Sequence, residues 1–538
     1  MSSSRTCACS VCPAHADAEV EFSGVGGVAV TDGGALVAVG APWAADAVEF
    51  LGSAVSWLQS QEGMSAQHAV LEERLQELAW ENYRVLFQAY LDERAVREVR
   101  LQEVMGADSV VRRRVEEAHE RDLDTVFGTV VVARKAYRAV GASNLHPADR
   151  QLNLPVGKHS HGLRRVVATE AARDSFEQTH AAIGRYTAGG VGKRQVEQLA
   201  RAAAVDVDAF YAQRRPAPCE ITQVLVMQVD GKGIVMTASG LREATARAAA
   251  TSAGKLSTRL SPGEKTGRKR MAEVGAVHDL SPVPRTVDDI IAAPPPTAAT
   301  TTGRVREKTK GPVATGKWLT ASVTDDIPAV ISTVFDEAER RDPSHARPWV
   351  ALVDGNAQQI STIHAEAAAR GVNVPILIDF VHVIEYVWKA AWTFYFPGQP
   401  EAETWVAAHA RAVLNGDASA VATAIRAQAD REGFRGSERK TADAAAGYLT
   451  SKAAYLDYPS ALAAGWPIAT GVIEGACRWL IKDRMDITGA RWGLDTAEAI
   501  LKLRALHSNG DFNDYWEYHL TQEHHRNHQT RYQDQPAA

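Results

Sequence analysis

Hydrophobic positions first fall at helical spacing from residue 65, where Leu71, Leu75, Leu78, Leu86 and Tyr90 are interleaved with Glu72, Glu73, Arg74 and Glu77. That spacing predicts an amphipathic helix to about residue 99, and a second, polar helix is expected near 107–121. The region 61–121 is therefore read as helical, and residues 1–60, Gly-, Ala- and Val-rich with weak periodicity, as an N-terminal arm that is partly disordered. The run TVFGTVVVARKAY at 125–137 is β-branched and aromatic and reads as a strand, with an extended piece near 150–154 as its candidate partner. Residues 171–186 look helical, TAGGVG breaks the pattern, and a helix resumes at Lys193. Helix, glycine-containing turn and helix suggest a helix-turn-helix within a DNA-binding region over 122–214. The first residues of the second helix in such a unit meet base edges, which makes Lys193, Arg194, Gln195 and Gln198 the candidate readers. A plain helical hairpin with a solvated second helix is the alternative.

From Ile221 the texture changes. ITQVLVMQVDGKGIVM begins as an apolar run that reads as a buried strand, then a turn at Asp-Gly and a second extended piece. Another strand is expected within 272–287, a helix over 326–340, a strand at 349–356 (WVALVDGN), a helix at 360–370 and a strand at 375–380 (PILIDF). From 383 to 506 the pattern is almost wholly helical. Strands, then alternating strand and helix, then helices indicate a multidomain α/β plus α protein. Its mixed α/β domain covers 215–508, with a helical insertion at 391–465, and a polar tail over 509–538 follows.

Composition narrows this picture at a few points. Hydrophobic residues at 45% and charged residues at 23% are those of an ordinary globular chain, and 538 residues exceed one core. No apolar run approaches the ~18 residues of a membrane span, and the start lacks the basic flank and apolar core of a signal peptide. The expectation is a bacterial cytoplasmic protein with no membrane partner. The net charge of −6 argues against a nucleic-acid partner, but basic residues concentrate locally within 254–317. Lys255, Arg259, Lys265, Arg268, Lys269 and Arg270 lie in one run, and Arg304, Arg306, Lys308, Lys310 and Lys317 in a second. AAPPPTAATTTG at 292–303 adds low complexity, so 254–317 is read as a basic, partly disordered insertion. Cys7, Cys9, Cys12 and His15 are soft-metal ligand types, yet their spacing fits no common zinc module, which favours a tail. His519, His524, His525 and His528 lack a closing ligand set, and a frayed, solvated end is expected there.

Two strands end in an acid followed by glycine, Val229-Asp230-Gly231 and Val353-Asp354-Gly355. A carboxylate at a strand end sits where the core opens, within reach of a metal ion, although Asp-Gly is also a favoured turn pair. A third acid, Glu474, lies in GVIEGACRWLIKDRMDITGARW, where Arg478, Lys482 and Arg484 can reach a polyanion. Cutting a phosphodiester needs an activated water and stabilisation of charge on the phosphorus. Two Mg²⁺ ions about 4 Å apart supply both, and Mn²⁺ is expected to substitute. Such ions prefer oxygen ligands.

At this point DGKG, RPWVALVDGN, IDFVHVIEYVWKAAW and GVIEGACRWLIKDRMDITGARWGL together resemble the ISKra-type bacterial insertion-sequence transposases, and more distantly the Mutator-like DDE transposases. The resemblance covers roughly residues 120–508. It implies an RNase H-like core with Asp230, Asp354 and Glu474 as catalytic, metal-holding acids. The 120 residues from Asp354 to Glu474 then fit the helical insertion. Asp379 and His382 match the Asp-x-x-His signature and are implied to lie beside the pocket. Either they meet phosphate or water, or they form a structural pair. Lys482, Arg484, Arg491 and Trp492 become DNA contacts by the same resemblance, though Trp492 also reads as core. The implied partners are double-stranded DNA, both element ends and target, and a second copy of the chain in a dimer or larger synaptic assembly. A metal-dependent nuclease without strand transfer, and a DNA-binding protein that has lost catalysis, are the rival readings.

Overall fold

A computed structural model describes residues 27–30, 36–39, 41–216, 220–251, 268–292, 308–487 and 489–533. The Cys7–His15 cluster, Lys255, Arg259, Lys265, Arg304, Arg306 and the low-complexity run fall outside them, apart from Ala292. Two compact units divide the chain.

The first unit comprises 1–160, 184–190 and 526–538. The amphipathic pattern from residue 65 becomes a helix over His68–Arg97, preceded by a helix over Ala45–Gln59 that the weak periodicity did not announce. The strand expected at 125–137 is Gly128–Arg138, but its partner is Arg114–Thr125, in the stretch read as a helix. RVEEAHERDLDT consists largely of helix formers, and long-range pairing overrides that propensity. A tight connection at Val126–Phe127 closes the hairpin, with Gly128 at φ +116° and Thr125 Oγ1 accepting from the Phe127 N–H at 3.1 Å. Residues 150–154 do not pair with this strand, because Pro147–Gln151 is a helix. Leu91, Leu123, Val130, Val132 and Leu154 form the core between helix and hairpin. Gln88 fastens it by exchanging two hydrogen bonds with the Val131 backbone, at 2.7 and 3.0 Å.

The second unit, 161–183 and 191–525, is built on a five-stranded sheet. Its strands are β1 (Val224–Met236), β2 (Arg268–Leu280), β3 (Ala314–Ser322), β4 (Trp349–Val353) and β5 (Ile376–Ile378), in the order β5-β4-β1-β2-β3. β1, β2 and β3 run antiparallel in sequence, while β4 is parallel to both β1 and β5. WVALV and ILI are buried at every position, as strands covered on both faces must be. No turn interrupts β1 at Asp230-Gly231. Its ladder with β2 continues residue by residue from Val224↔Leu280 to Met236↔Arg268. The glycines serve a different need: a Cβ at Gly231 would sit 3.2 Å from Glu273 Oε2, and one at Gly233 2.9 Å from Lys269 Cδ. β2 side chains fold over both positions. The basic insertion expected at 254–317 thus contains a full sheet strand.

Helix Ile327–Arg341 starts at its Asp326 cap, whose side chain accepts from the Ala329 N–H at 3.1 Å. After β5 the chain is helical as expected, including α1 (Phe380–Phe394), α2 (Lys440–Ser451) and α3 (Gly471–Ala476). The C-terminal segment, as far as residue 533, is not a frayed tail. Phe512–Asn527 is a helix that buries Phe512, Tyr515, Trp516 and His519, and His519 Nδ1 lies 2.6 Å from Asp206 Oδ2. His528 is buried in the first unit, its Nε2 2.8 Å from the Leu154 carbonyl. Aromatic residues spaced along a polar stretch carry that burial, and average polarity hid it. No described helix is long and apolar enough to cross a membrane.

Candidate functional site

The register of two parallel neighbours brings the first two acids together. Leu352 of β4 pairs with Gln228 of β1, so two residues further on Asp354 comes level with Asp230. Adjacent strands lie about 4.8 Å apart, and both acids stand where burial gives way to partial exposure. Asp230 Oδ1 accepts from the Gly231 N–H at 2.6 Å, and its Oδ2 from the Cys477 thiol at 3.4 Å. Asp354 Oδ1 accepts from the Asn356 N–H at 2.8 Å. The next residue, Gly355, has φ +97°, and a Cβ there would meet Tyr448 Oη at 2.8 Å. That close approach lets the Tyr448 hydroxyl donate to the Asp354 carbonyl at 3.0 Å.

Glu474 reaches the same neighbourhood on α3, which is tied to the sheet from below. Gln228, fully buried and on the same face of β1 as Asp230, accepts from the Ile473 N–H at 2.9 Å. The Glu474 side chain opens to solvent. Even so, the surrounding protein wall, then the charges of Asp379, Asp230 and Glu385, raise its carboxyl above the usual range. Among the described residues no cation forms an ion pair with Asp230, Asp354 or Glu474.

Asp379 is 4% exposed and has both oxygens engaged within the protein. One caps α1 at the Val381 N–H, 2.9 Å away, and the other accepts from the Thr470 hydroxyl at 2.6 Å. The Phe380 N–H bonds the Ile468 carbonyl at 2.9 Å, so Asp379 and its neighbour together clamp the segment that leads into α3. Its oxygens go to Thr470 and Val381, not to His382. His382 is half-buried against the rings of Tyr386 and Tyr448, at 5.5 and 6.1 Å. Those two tyrosines stack at 3.9 Å with their planes 6° apart, joining α1 to α2 beside Asp354.

The candidate DNA contacts divide. Arg478, Lys482 and Arg491 are exposed, with Arg478 3.7 Å from Asp483. Arg484 and Trp492 are core residues, 3% and 5% exposed: the expectation that Arg484 touches DNA is corrected, and for Trp492 the core reading holds. The Arg484 guanidinium lies between Trp492 and Phe176, 4.8 and 5.2 Å from their rings, and donates to the Ala171 carbonyl at 3.2 Å. The Trp492 indole N–H is held by the Met485 carbonyl at 3.0 Å. Between Glu474 and Arg484 the chain makes a π-helical turn, Cys477–Lys482, a form often found at functional sites.

The helix expected from Lys193 is Lys193–Ala202. The helix expected over 171–186 is two, His161–Arg173 and Phe176–Tyr186, parted where Ser175 accepts from the Gln178 N–H at 3.1 Å. Lys193 is ion-paired with Glu177, and Gln195 accepts from the Gly192 N–H at 3.0 Å. Arg194 and Gln198 are exposed. Sequence reasoning missed Gln228, Thr470, Cys477 and Tyr448. Only Gln228 carried a local signal, as the single polar residue inside VLVMQV.

Among the described residues no three acidic, histidine or cysteine side chains are gathered closely enough to enclose an ion. Carboxylate oxygens are the donor type that a hard divalent cation prefers; Asp230 stands level with Asp354, and its charge is felt at Glu474. No protein-family model matches the chain, and no curated protein does. Among solved structures the chain is similar to the Drosophila P element transposase strand transfer complex, at 7% identity and a TM-score of 0.22, covering 69% of this chain and 80% of that one. A score that low carries no functional argument, which rests on this chain's own residues.

Proposed function

We propose that the chain is a DDE transposase of the ISKra type, with Asp230, Asp354 and Glu474 as its catalytic acids on an RNase H-like core. The observation that carries this is the alignment of Asp230 and Asp354 on parallel neighbours, with the Glu474 helix bonded to the same strand through Gln228. The strand order β5-β4-β1-β2-β3, antiparallel on one side of β1 and parallel on the other, supports the RNase H-like reading. So does a helical insertion between the second and third acids.

When bound, two Mg²⁺ or Mn²⁺ ions supply an activated oxygen nucleophile and stabilise the leaving oxygen. The three carboxylates hold the site, and their mutual repulsion falls as it fills. Gln228 and Thr470 fix the approach of α3, and Tyr448 fixes the backbone of Asp354. Arg478, Lys482 and Arg491 meet DNA phosphates. The helix Lys193–Ala202 reads the element ends through Lys193, Arg194, Gln195 and Gln198, after Lys193 exchanges Glu177 for DNA. Water attack frees 3′-hydroxyls at the ends, and those hydroxyls attack target DNA in the same site. The two ends imply at least two copies of the chain.

The test uses double-stranded DNA carrying the inverted repeats that flank the gene, with Mg²⁺ or Mn²⁺. The wild-type chain should nick the ends and join them to target DNA, while Asp354→Asn and Glu474→Gln, folded as the wild type, should do neither. Cleavage without joining would favour the nuclease reading, and normal cleavage by Asp354→Asn would sink the assignment of the acids.

A further inference from the structure

We propose that Lys232 is a DNA-phosphate anchor of the acid site, holding the phosphate next to the one under attack. It rests on the transposase reading and adds a residue that neither the motifs nor the resemblance assigned.

β1 is the central strand of the sheet, and from Val224 to Val229 every residue is buried. Lys232 lies on that strand and is exposed. Two residues beyond Asp230, it stands on the same face, the one that α3 covers further back. Its neighbour across the ladder is Ala272, fully buried and too short to cover it. Asp230 accepts from the Cys477 thiol, and Lys232 follows it by two positions on the same face of the strand.

Three other cations of this unit have carboxylate partners, whereas Lys482 and Arg491 are exposed. Lys269 reaches Asp486 at 3.2 Å, Arg478 approaches Asp483, and Lys502 pairs with Asp208 at 2.7 Å. Among the described residues no ion pair or hydrogen bond is made by the Lys232 side chain. An ammonium with no ion pair, on the strand face that carries Asp230 at the acid end of the sheet, is not committed within the fold. It is available to a polyanion arriving at those acids. Two residues along a strand advance about 6.7 Å, so a phosphate held at Asp230 leaves its neighbour on the same DNA strand within the sweep of the lysine stem. A positive charge there also competes with a divalent cation for the field of the acids, which makes the role separable from metal binding.

The experiment compares full-length wild type, Lys232→Gln, Lys440→Gln (an exposed lysine on the helical insertion) and Asp354→Asn. Binding of a labelled random-sequence duplex is followed across a salt series in Ca²⁺, and Mn²⁺ binding without DNA is followed by calorimetry. Lys232→Gln should weaken DNA binding severalfold and flatten the log–log salt slope by about one unit. It should leave Mn²⁺ affinity unchanged or tighter, while Lys440→Gln moves neither. An unchanged DNA affinity and slope, or a looser Mn²⁺ site, overturns the anchor. Failure of the wild type to bind DNA, or of Asp354→Asn to alter Mn²⁺ binding, counts instead against the transposase reading itself.

Discussion

The acid end of the sheet and the helix Lys193–Ala202 were both read from sequence as DNA-handling regions, and they are built in opposite ways. At the acid end bonds from other elements, buried or half-buried, back the functional residues: Gln228 to Ile473, Thr470 to Asp379, Tyr448 to Asp354. On the helix the candidate readers bond only to their surroundings at the surface, Lys193 to Glu177 and Gln195 to the turn before it. Chemistry on a phosphodiester demands fixed geometry, since reacting atoms must be held before the reaction. Groove reading demands side chains that can leave their resting partners. The difference therefore says where a substitution should damage folding and where only binding.

The largest effect should come from Gln228→Ala. It strips the Ile473 N–H of its partner inside the protein and opens a cavity under α3, so unfolding in urea should show a loss of about 1–3 kcal/mol. A midpoint equal to wild type would mean that α3 is held by other means. Glu273→Gln should act more weakly and in the other direction. Burial, then Asp230, raise the Glu273 carboxyl, with Arg242 opposing. A carboxyl raised on folding is neutral in both states at low pH and costs stability as pH climbs through its unfolded and then its folded value. The variant should therefore melt higher than wild type at about pH 8 and equally at about pH 4. A gain at the lower pH would assign the effect to packing. Smallest on stability should be Lys193→Ala with Arg194→Ala, whose exposed side chains leave the melting temperature unchanged. The same pair should lose preference for element-end DNA over random DNA, and an unchanged preference would leave this region a plain helical hairpin.

How much of this was legible depended on how local each cause is. The buried strands announced themselves as VLVMQV, WVALV and ILI, and a helix was expected from residue 326. Arg114–Thr125 did not, because its charged residues favour a helix until Gly128–Arg138 offers a ladder. Asp230-Gly231 looked like a turn because the demand for glycine comes from Glu273, far along the chain. Arg484 looked like a surface DNA contact, and Trp492 read as either a DNA contact or core, since nothing nearby reveals that Phe176 packs against both. The three acids could be picked out by type and motif. The residues that hold them in place could not, being joined across 94 residues for Tyr448–Asp354 and 245 for Gln228–Ile473.

The unbroken run of β1 through Asp230 makes that strand a parity device. Even positions from Val226 to Lys232 belong to one side of the sheet and odd positions to the other. Loss or gain of one residue between Val224 and Val229 would keep the composition nearly intact yet exchange the sides, sending the carboxylate toward Glu273 and presenting glycine to Glu474. The 120-residue path from Asp354 to Glu474 has no such arithmetic. Its length can drift by whole helices so long as Thr470 still meets Asp379. Lineages of this architecture should thus vary freely in their insertion while the count along the central strand stays frozen.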